Sequence, residues 1–169
     1  MPPDQRAASG VALALALRDW PDGRVAAYAC VGAEPDTAPL LAGRHDVLLP
    51  VLLADGELDW AVYDGELVDG ARGTREPPGP RLGRDAVADC SLVVVPALGV
   101  DRAGTRLGRG GGSYDRALAR TTAYVVAALH SGELHDLLPV QAHDRPVHAA
   151  VLPHRGLVHL RHHLWEGTP

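Results

Sequence analysis

Short apolar runs bounded by glycine, proline and aspartate are the feature that most limits the fold of this chain. They lie at 24–31, 46–53, 58–63, 91–98, 123–129 and 149–152. Runs of this length with these flanks are typical of β-strands. Segments with helical spacing occur at 6–20, 36–44, 113–122 and 132–139, and residues 1–5 are expected to be frayed. The alternation predicts an α/β domain with a largely parallel central sheet.

Two turn-forming segments refine this prediction. The dipeptide Asp55-Gly56 falls between two strand-like runs and predicts a hairpin, which would add a local antiparallel pair. The segment 69–86 is rich in proline, glycine and arginine and has no periodicity, so we expect an ordered surface loop over a cleft. No linker divides the chain, and residues 1–169 are expected to form a single domain.

Composition and charge narrow the classes of partner. With 46% hydrophobic and 22% charged residues the chain is typical of a globular protein. The formal net charge of −5 argues against nucleic acid as a partner, because phosphate backbones favour basic surfaces. All 16 basic residues are arginine, so no lysine can form a Schiff base or hold a phosphate. We expect a monomer that acts on a small molecule.

Cysteine usage and hydropathy indicate the compartment. Cys30 and Cys90 lie in apolar runs and form no CxxC pair, which is typical of reduced thiols in a cytoplasmic protein. The apolar stretch 11–20 is too short to cross a bilayer, and no signal peptide is predicted. We therefore expect no membrane association.

Glycine and arginine dominate the thirteen residues 104–116, GTRLGRGGGSYDR. The stretch follows the apolar run 91–98 and precedes a helical segment for which Ser113 is a candidate N-cap. A strand, a glycine-rich turn and a helix form a geometry in which backbone N–H groups converge on an anion. Arg106 and Arg109 could add planar guanidinium groups that bind phosphate oxygens.

These residues alone leave three interpretations of the stretch open. It could be an anion-binding loop, a flexible surface loop or an RNA-binding Arg-Gly tract. Neither standard nucleotide fingerprint fits, because the Walker GK[ST] is absent and no GxGxxG follows the strand directly.

A longer match gives the stretch a specific meaning. PALGVDRAGTRLGRGGGSYDRAL, at 96–118, closely resembles the signature of the 5-formyltetrahydrofolate cyclo-ligase family. AAYACVGAEPDT at 26–37, REPPGPRLG at 75–83 and PVQAHDRPVHAAVLP at 139–153 are similar to other parts of the same family. Together they cover most of residues 24 to 160. The resemblance implies a three-layer α/β fold of the NagB/RpiA/CoA transferase-like type.

The resemblance also implies a reaction and its cofactors. Enzymes of this family use ATP and Mg²⁺ to convert 5-formyltetrahydrofolate, with or without a polyglutamate tail, into 5,10-methenyltetrahydrofolate. Transfer of the γ-phosphoryl group to the formyl oxygen makes that oxygen a good leaving group, and folate N10 then closes the ring. A non-catalytic relative that binds folate or nucleotide as a sensor or partner is the alternative function.

The family's nucleotide and catalytic residues map onto the glycine-rich stretch. The implied nucleotide-binding residues are Arg106, Leu107, Gly108, Arg109, Gly110, Gly111, Gly112, Ser113 and Tyr114. Of these, Arg109 and Tyr114 are implied to be catalytic, with Arg109 stabilising charge on the transferred group.

Metal and folate residues are implied in the same way. Asp115 and Asp144 match the Mg²⁺-binding aspartates, and Glu34 and Ala29 match positions that contact the folate. Taken alone, Asp115 could be a first-turn acid of a helix, Asp144 a turn residue and Glu34 a solvated loop acid. Trp60 could lie against the pterin or in the core.

Three features of the sequence depart from the family pattern, namely one helix and two single residues. The N-terminal helix that carries a lysine and an arginine in the family is predicted to be missing, with Arg6 a substitute by charge only. Ser113 stands where the family has a tyrosine, and His148 stands where it has an acid. His148 is interpreted as a surface or core histidine. The terminal histidines could bind metal or form a polar tail; they are His159, His162 and His163.

Overall fold

The computed structural model describes residues 3–161. Its α-helices are α1 (Pro3–Leu17), α2 (Ala38–Ala42) and α3 (Ser113–Leu118). Its strands are β1 (Val25–Ala26), β2 (Val47–Leu52), β3 (Leu58–Val62), β4 (Val68–Asp69), β5 (Arg75–Glu76), β6 (Leu92–Pro96), β7 (Gly99–Asp101), β8 (Arg106–Leu107), β9 (Tyr124–Ala128), β10 (Leu134–His135), β11 (Ala149–Leu152) and β12 (Gly156–His159). Two 3₁₀ turns lie at Ala71–Gly73 and Arg84–Asp89.

A seven-stranded sheet with the order β12-β11-β9-β6-β1-β2-β3 forms the centre. The five inner strands pair in parallel, and β12 and β3 are antiparallel strands at the two edges. The strands are nearly continuous apolar runs because helices cover both faces of a parallel sheet. The predicted parallel sheet is therefore confirmed, and the β2–β3 hairpin turns at Asp55-Gly56 as expected, with Gly56 at φ +83°.

Two hydrophobic clusters pack on opposite faces of the sheet. Helices α1 and α2 cover one face, where Leu13, Leu40 and Leu49 are buried. The turn at 84–89 and α3 cover the other face, where Trp60 and Leu118 are buried. The arrangement has three layers, as predicted. No helix within residues 3–161 is long and apolar enough to cross a membrane.

A few local predictions are wrong. The segment 132–139 is not a helix, because Leu134 pairs with Val100 in a small sheet of β10, β7 and β8. The run 24–31 is a strand only at Val25–Ala26, after which the chain turns away from the sheet. Residues 3–5 are helical rather than frayed.

Helix α1 confirms the helix predicted at 6–20, whereas the expectation that the family's N-terminal helix is missing is wrong. Helix α1 packs its buried Leu13 and Leu17 on the sheet. It carries Arg6, whose Nη1 donates a hydrogen bond to the carbonyl of Gly32 at 3.0 Å. What the chain lacks is the lysine, rather than the helix itself.

Close packing of α1 on the segment after β1 gives the first testable prediction. A Cβ added at Gly10 would lie 2.5 Å from the backbone oxygen of Asp36. We therefore expect Gly10→Ala to lower the free energy of unfolding by about 1–3 kcal/mol, as overpacking does, although alanine favours helix. Urea denaturation measures the change. The control Gly43→Ala, whose Cβ meets nothing nearer than 3.6 Å, should stay within about 0.5 kcal/mol; equal losses would contradict the prediction.

Candidate active site

A cavity of about 580 Å³ opens where the parallel strands β1 and β6 end. Ligand sites in α/β sheets lie at this edge because loops that follow the strands converge there. Every site residue predicted from the sequence lines this cavity, namely Ala29, Glu34, residues 106–115 and Asp144. The structure thus brings together residues from separate segments of the chain.

Arg106 lies beneath the glycine-rich loop and is buried. Its Nη2 donates to Asp115 Oδ2 at 3.0 Å, and its Nη1 donates to the carbonyl of Pro96 at 3.3 Å. The guanidinium lies 5.7 Å from the centre of the Tyr114 ring, within range of a cation–π contact. Arg106 therefore joins the end of β6 to the start of α3. A Cβ at Gly108 would lie 2.8 Å from Arg106 Nη1, so glycine makes room for this side chain.

The loop between Arg106 and α3 takes a backbone course that only glycine adopts readily. Gly110 and Gly112 have φ of +85° and +65°. Gly112, in the left-handed region, is the N-cap of α3. Ser113 is the first residue of the helix instead, so the predicted Ser113 cap is wrong. A Cβ at Gly112 would also lie 2.8 Å from Arg116 Nη1.

An ion pair crosses the cavity between two predicted site residues. Arg109 Nη2 lies 3.2 Å from Glu34 Oε1. The Glu34 side chain is 14% exposed and its Oε2 accepts a hydrogen bond from the amide of Val31 at 2.8 Å, whereas the Arg109 side chain is 61% exposed. Glu34 is therefore fixed by its own turn, and Arg109 reaches it from a solvated loop.

The two predicted metal ligands lie on the same cavity wall. Asp115 Oδ1 accepts a hydrogen bond from the amide of Arg145 at 3.2 Å, which places the segment containing Asp144 beside α3. Asp144 Oδ2 accepts from the amide of Gln141 at 2.7 Å. Within residues 3–161 no group of three or more His, Cys, Asp or Glu side chains could hold a metal. Two carboxylates suit Mg²⁺, which usually takes its remaining ligands from phosphates and water.

Two tyrosines near the cavity stay protonated at neutral pH. Burial raises the pKa of Tyr114, and the nearby Glu34 charge raises it further, against an opposing effect of Arg106. Burial and the Glu34 charge also raise the pKa of Tyr28, whose hydroxyl donates to the carbonyl of Pro35 at 3.0 Å. Both phenols are therefore hydrogen-bond donors rather than bases.

Other cavity residues were not singled out from the sequence. Tyr28 lies within the family-like stretch 26–37 but has no role implied by the resemblance, and Arg72 and Arg75 belong to the loop predicted to cross a cleft. Arg72 has a left-handed backbone, with φ +54°. Trp60 is fully buried in the core and does not line the cavity.

Two of the histidines discussed from the sequence contact Tyr124 and the neighbouring backbone rather than the cavity. His148 stacks on Tyr124 at 4.8 Å, and its Nδ1 accepts a hydrogen bond from the amide of Val125. His159 Nδ1 lies 2.7 Å from the hydroxyl of Tyr124. His162 and His163 lie outside the described residues.

Comparisons with known proteins agree with this fold. The model of the 5-formyltetrahydrofolate cyclo-ligase family matches residues 4–153. A 5-formyltetrahydrofolate cyclo-ligase of Mycolicibacterium smegmatis is 42% identical over 164 residues, which cover 86% of this chain and 84% of that protein. One of Escherichia coli K12 is 31% identical over 167 residues, 89% of this chain and 91% of that protein.

Solved structures agree as well. The NMR structure of the Aquifex aeolicus 5,10-methenyltetrahydrofolate synthetase has a TM-score of 0.76 and 27% identity and covers 100% of this chain and 88% of its own. The structure of a Mycoplasma pneumoniae 5,10-methenyltetrahydrofolate synthetase has a TM-score of 0.64 and 16% identity and covers 89% of this chain and 88% of its own. At this identity it supports the fold alone. The chain belongs to the 5-formyltetrahydrofolate cyclo-ligase family. The family, the fold class and the ligase class predicted from the sequence are confirmed.

The buried ion pair at the base of the site gives a second prediction. The side chains of Arg106 and Asp115 are only 5% and 13% exposed. We expect Arg106→Met to lower the free energy of unfolding by about 3–5 kcal/mol, because it leaves the Asp115 charge buried without its partner. Urea denaturation measures this loss, and adding Asp115→Asn should restore part of it.

An exposed pair serves as the control. Arg102 and Asp136 lie 3.0 Å apart with side chains 65% and 93% exposed. Arg102→Met should change stability by no more than about 1 kcal/mol, the range of surface pairs. A similar loss for Arg106→Met and Arg102→Met would contradict the structural role of Arg106.

Proposed function

We propose that the chain converts 5-formyltetrahydrofolate into 5,10-methenyltetrahydrofolate with ATP and Mg²⁺. The observation that carries this proposal is the convergence of Glu34, Arg109 and Asp115 on one cavity, in a chain of the cyclo-ligase family. The reaction passes the γ-phosphoryl group to the formyl oxygen. N10 then attacks the formyl carbon, and the formyl oxygen leaves as part of inorganic phosphate. The products besides the methenylfolate are ADP and phosphate.

The glycine-rich loop is suited to the phosphates of ATP. Its glycines let backbone N–H groups approach an anion, and it leads into the N-terminus of α3. Arg106 is held by Asp115 and by the Pro96 carbonyl, so its role is to fix the base of the loop. Arg109 is exposed and reaches across the cavity, which suits a cation that stabilises charge on the transferred group.

Asp115 and Asp144 would hold Mg²⁺ together with phosphate oxygens. The ion would neutralise charge that develops on the phosphoryl group during transfer. The hydrogen bonds from the amides of Arg145 and Gln141 orient the two carboxylates. The guanidinium of Arg106 donates to Asp115 Oδ2, and the Arg145 amide donates to Oδ1.

Glu34 is the residue proposed to bind the folate. Its carboxylate can accept two hydrogen bonds from the amino and ring N–H edge of a pterin. Ala29 lines the same cavity, and the protonated Tyr114 phenol can donate a hydrogen bond to the substrate. A small-molecule substrate, a cytoplasmic location and a monomeric, single-domain protein complete the proposal.

Turnover is tested by following methenylfolate absorbance with ATP, Mg²⁺ and 5-formyltetrahydrofolate. We expect Arg109→Ala to lower kcat by about 100-fold or more, the loss typical for removal of one group that stabilises developing charge. The matched control is Arg102→Ala, an exposed arginine outside the cavity, which should keep wild-type turnover. Folded wild-type protein that binds folate without turnover would contradict the proposal and favour the non-catalytic alternative.

The metal proposal has a separate test. Asp144→Asn removes one of two proposed Mg²⁺ ligands and should raise the Mg²⁺ concentration for half-maximal rate about tenfold or more. The KM for folate should change little, because Glu34 is untouched. Titration of Mg²⁺ at saturating ATP and folate measures the effect, with Asp136→Asn as the control for loss of an exposed acid. An unchanged Mg²⁺ requirement would contradict the role of Asp144.

A further inference from the structure

The turn that carries Glu34 is held by hydrogen bonds from outside itself. Residues 31–35 contain three carbonyls that each lie within bonding distance of a side chain from another position. These pairs are Arg6 Nη1 with Gly32 O at 3.0 Å, His130 Nε2 with Ala33 O at 2.8 Å, and the Tyr28 hydroxyl with Pro35 O at 3.0 Å. The direction of the Glu34 carboxylate therefore depends on groups outside the turn, and two of them, Arg6 and His130, do not line the cavity.

His130 is the most buried of these partners that lie outside the local segment, with 2% of its surface exposed. A carbonyl oxygen only accepts, so Nε2, which faces Ala33, carries a proton. The other ring nitrogen, Nδ1, lies 2.8 Å from the hydroxyl of Ser9 on α1, which is also 2% exposed. The amide of His130 donates to Glu133 Oε2 at 2.7 Å. Both ring nitrogens and the backbone of His130 are thus engaged.

His130 connects the turn to the rigid centre of the fold. It follows β9, and the preceding Leu129 donates its amide to the carbonyl of Val151 beside the sheet. Tyr28, by contrast, belongs to the same local segment as the turn, and Arg6 lies on α1 with a partly exposed side chain. The bond from His130 to Ala33 is therefore the one side-chain link, among the three described, that ties the turn to strand β9.

We propose that His130 is a positioning residue for folate binding: its Nε2–H holds the Ala33 carbonyl, which sets the direction of the adjacent Glu34 carboxylate. The proposal rests on the proposed function, in which Glu34 binds the pterin. Without the bond, the Ala33 carbonyl is left without its buried donor and the turn shifts to find another. Glu34 then no longer meets the substrate from a preset position.

Two substitutions that each introduce a side-chain amide test the hydrogen bonds of the two ring nitrogens of His130 separately. His130→Gln keeps an N–H group at the distance of Nε2, and His130→Asn keeps a polar atom only at the distance of Nδ1. We expect His130→Asn to raise the KM for 5-formyltetrahydrofolate about tenfold, the effect of losing one buried hydrogen bond. The kcat and the KM for ATP should change less than about threefold, since positioning affects substrate binding. His130→Gln should retain a KM near that of the wild type.

Amide exchange measured without substrate tests the positioning independently of catalysis. Exchange in residues 31–36 should rise in His130→Asn and stay near wild type in His130→Gln, while exchange in β6 stays unchanged in both. Equal KM values for the two variants, or losses that follow global stability in denaturation, would overturn the proposal.

A third variant separates this proposal from the proposed function. Glu34→Gln should raise the folate KM directly, and if it does while His130→Asn does not, only the positioning proposal fails. If the wild type shows no turnover, or Glu34→Gln leaves the folate KM unchanged, the proposed function fails. In that case the exchange in residues 31–36 still decides whether His130 holds the turn.

Discussion

The ion pair between Arg106 and Asp115 is the contact on which the site depends. Removing both charges from water is costly, and the cost is offset only where further hydrogen bonds complete the pair. Here the Pro96 carbonyl accepts from Arg106 and the Arg145 amide donates to Asp115, and the buried Nε of Arg106 is the one nitrogen of its guanidinium without a hydrogen-bond partner within residues 3–161. One pair thus fixes the end of β6, the start of α3 and the segment with Asp144. The glycines at 108–112 lie between these fixed points, so their freedom is confined to the loop that faces the cavity.

The second ion pair of the site, between Arg109 and Glu34, is less buried than the first. Arg109 meets Glu34 from a side chain that is mostly exposed, and such pairs contribute little to stability. A ligand can therefore replace either partner at small cost. The buried pair thus holds the architecture of the site, whereas the pair of Arg109 with Glu34 reaches the cavity through a mostly exposed arginine. Glu34 is also held by its own turn through the Val31 amide, whereas Arg109 reaches it from the glycine-rich loop.

The sequence predicted the sheet well because parallel strands buried on both faces read as apolar runs. The run 91–98 contains β6, and 123–129 contains β9. The segment 132–139 was predicted wrongly because its spacing is also that of a helix. Its actual structure depends on Val100 and on Asp101, whose Oδ2 accepts a hydrogen bond from the amide of Leu138. Contacts between residues so distant in the chain leave no local pattern.

The site residues likewise include some that a local sequence pattern predicts and some that only the fold brings together. The glycine-rich loop, Asp115 and Glu34 lie within stretches that resemble the family, so the amino-acid sequence alone is enough to propose them as site residues. His130 lies outside these stretches, and Tyr28 lies within one but has no implied role there. One buried histidine or tyrosine is ordinary in any core, and only the fold brings these two side chains to the turn at 31–35. Helix α1 was not predicted to contribute to the site, because it lacks the lysine that the family's N-terminal helix carries. It contributes Arg6 and Ser9 instead, which hold the turn and His130.

Ser113, which stands where the family pattern has a tyrosine, shows which part of the cavity wall accepts a different side chain. The family has adjacent tyrosines, and this chain retains the second. Tyr114 packs against both hydrophobic clusters and lies beside the Arg106 guanidinium, so its ring is part of the architecture. Ser113 lines the cavity at the first position of α3. A serine in place of a tyrosine there leaves the buried anchor intact, because none of the Arg106 contacts involves residue 113.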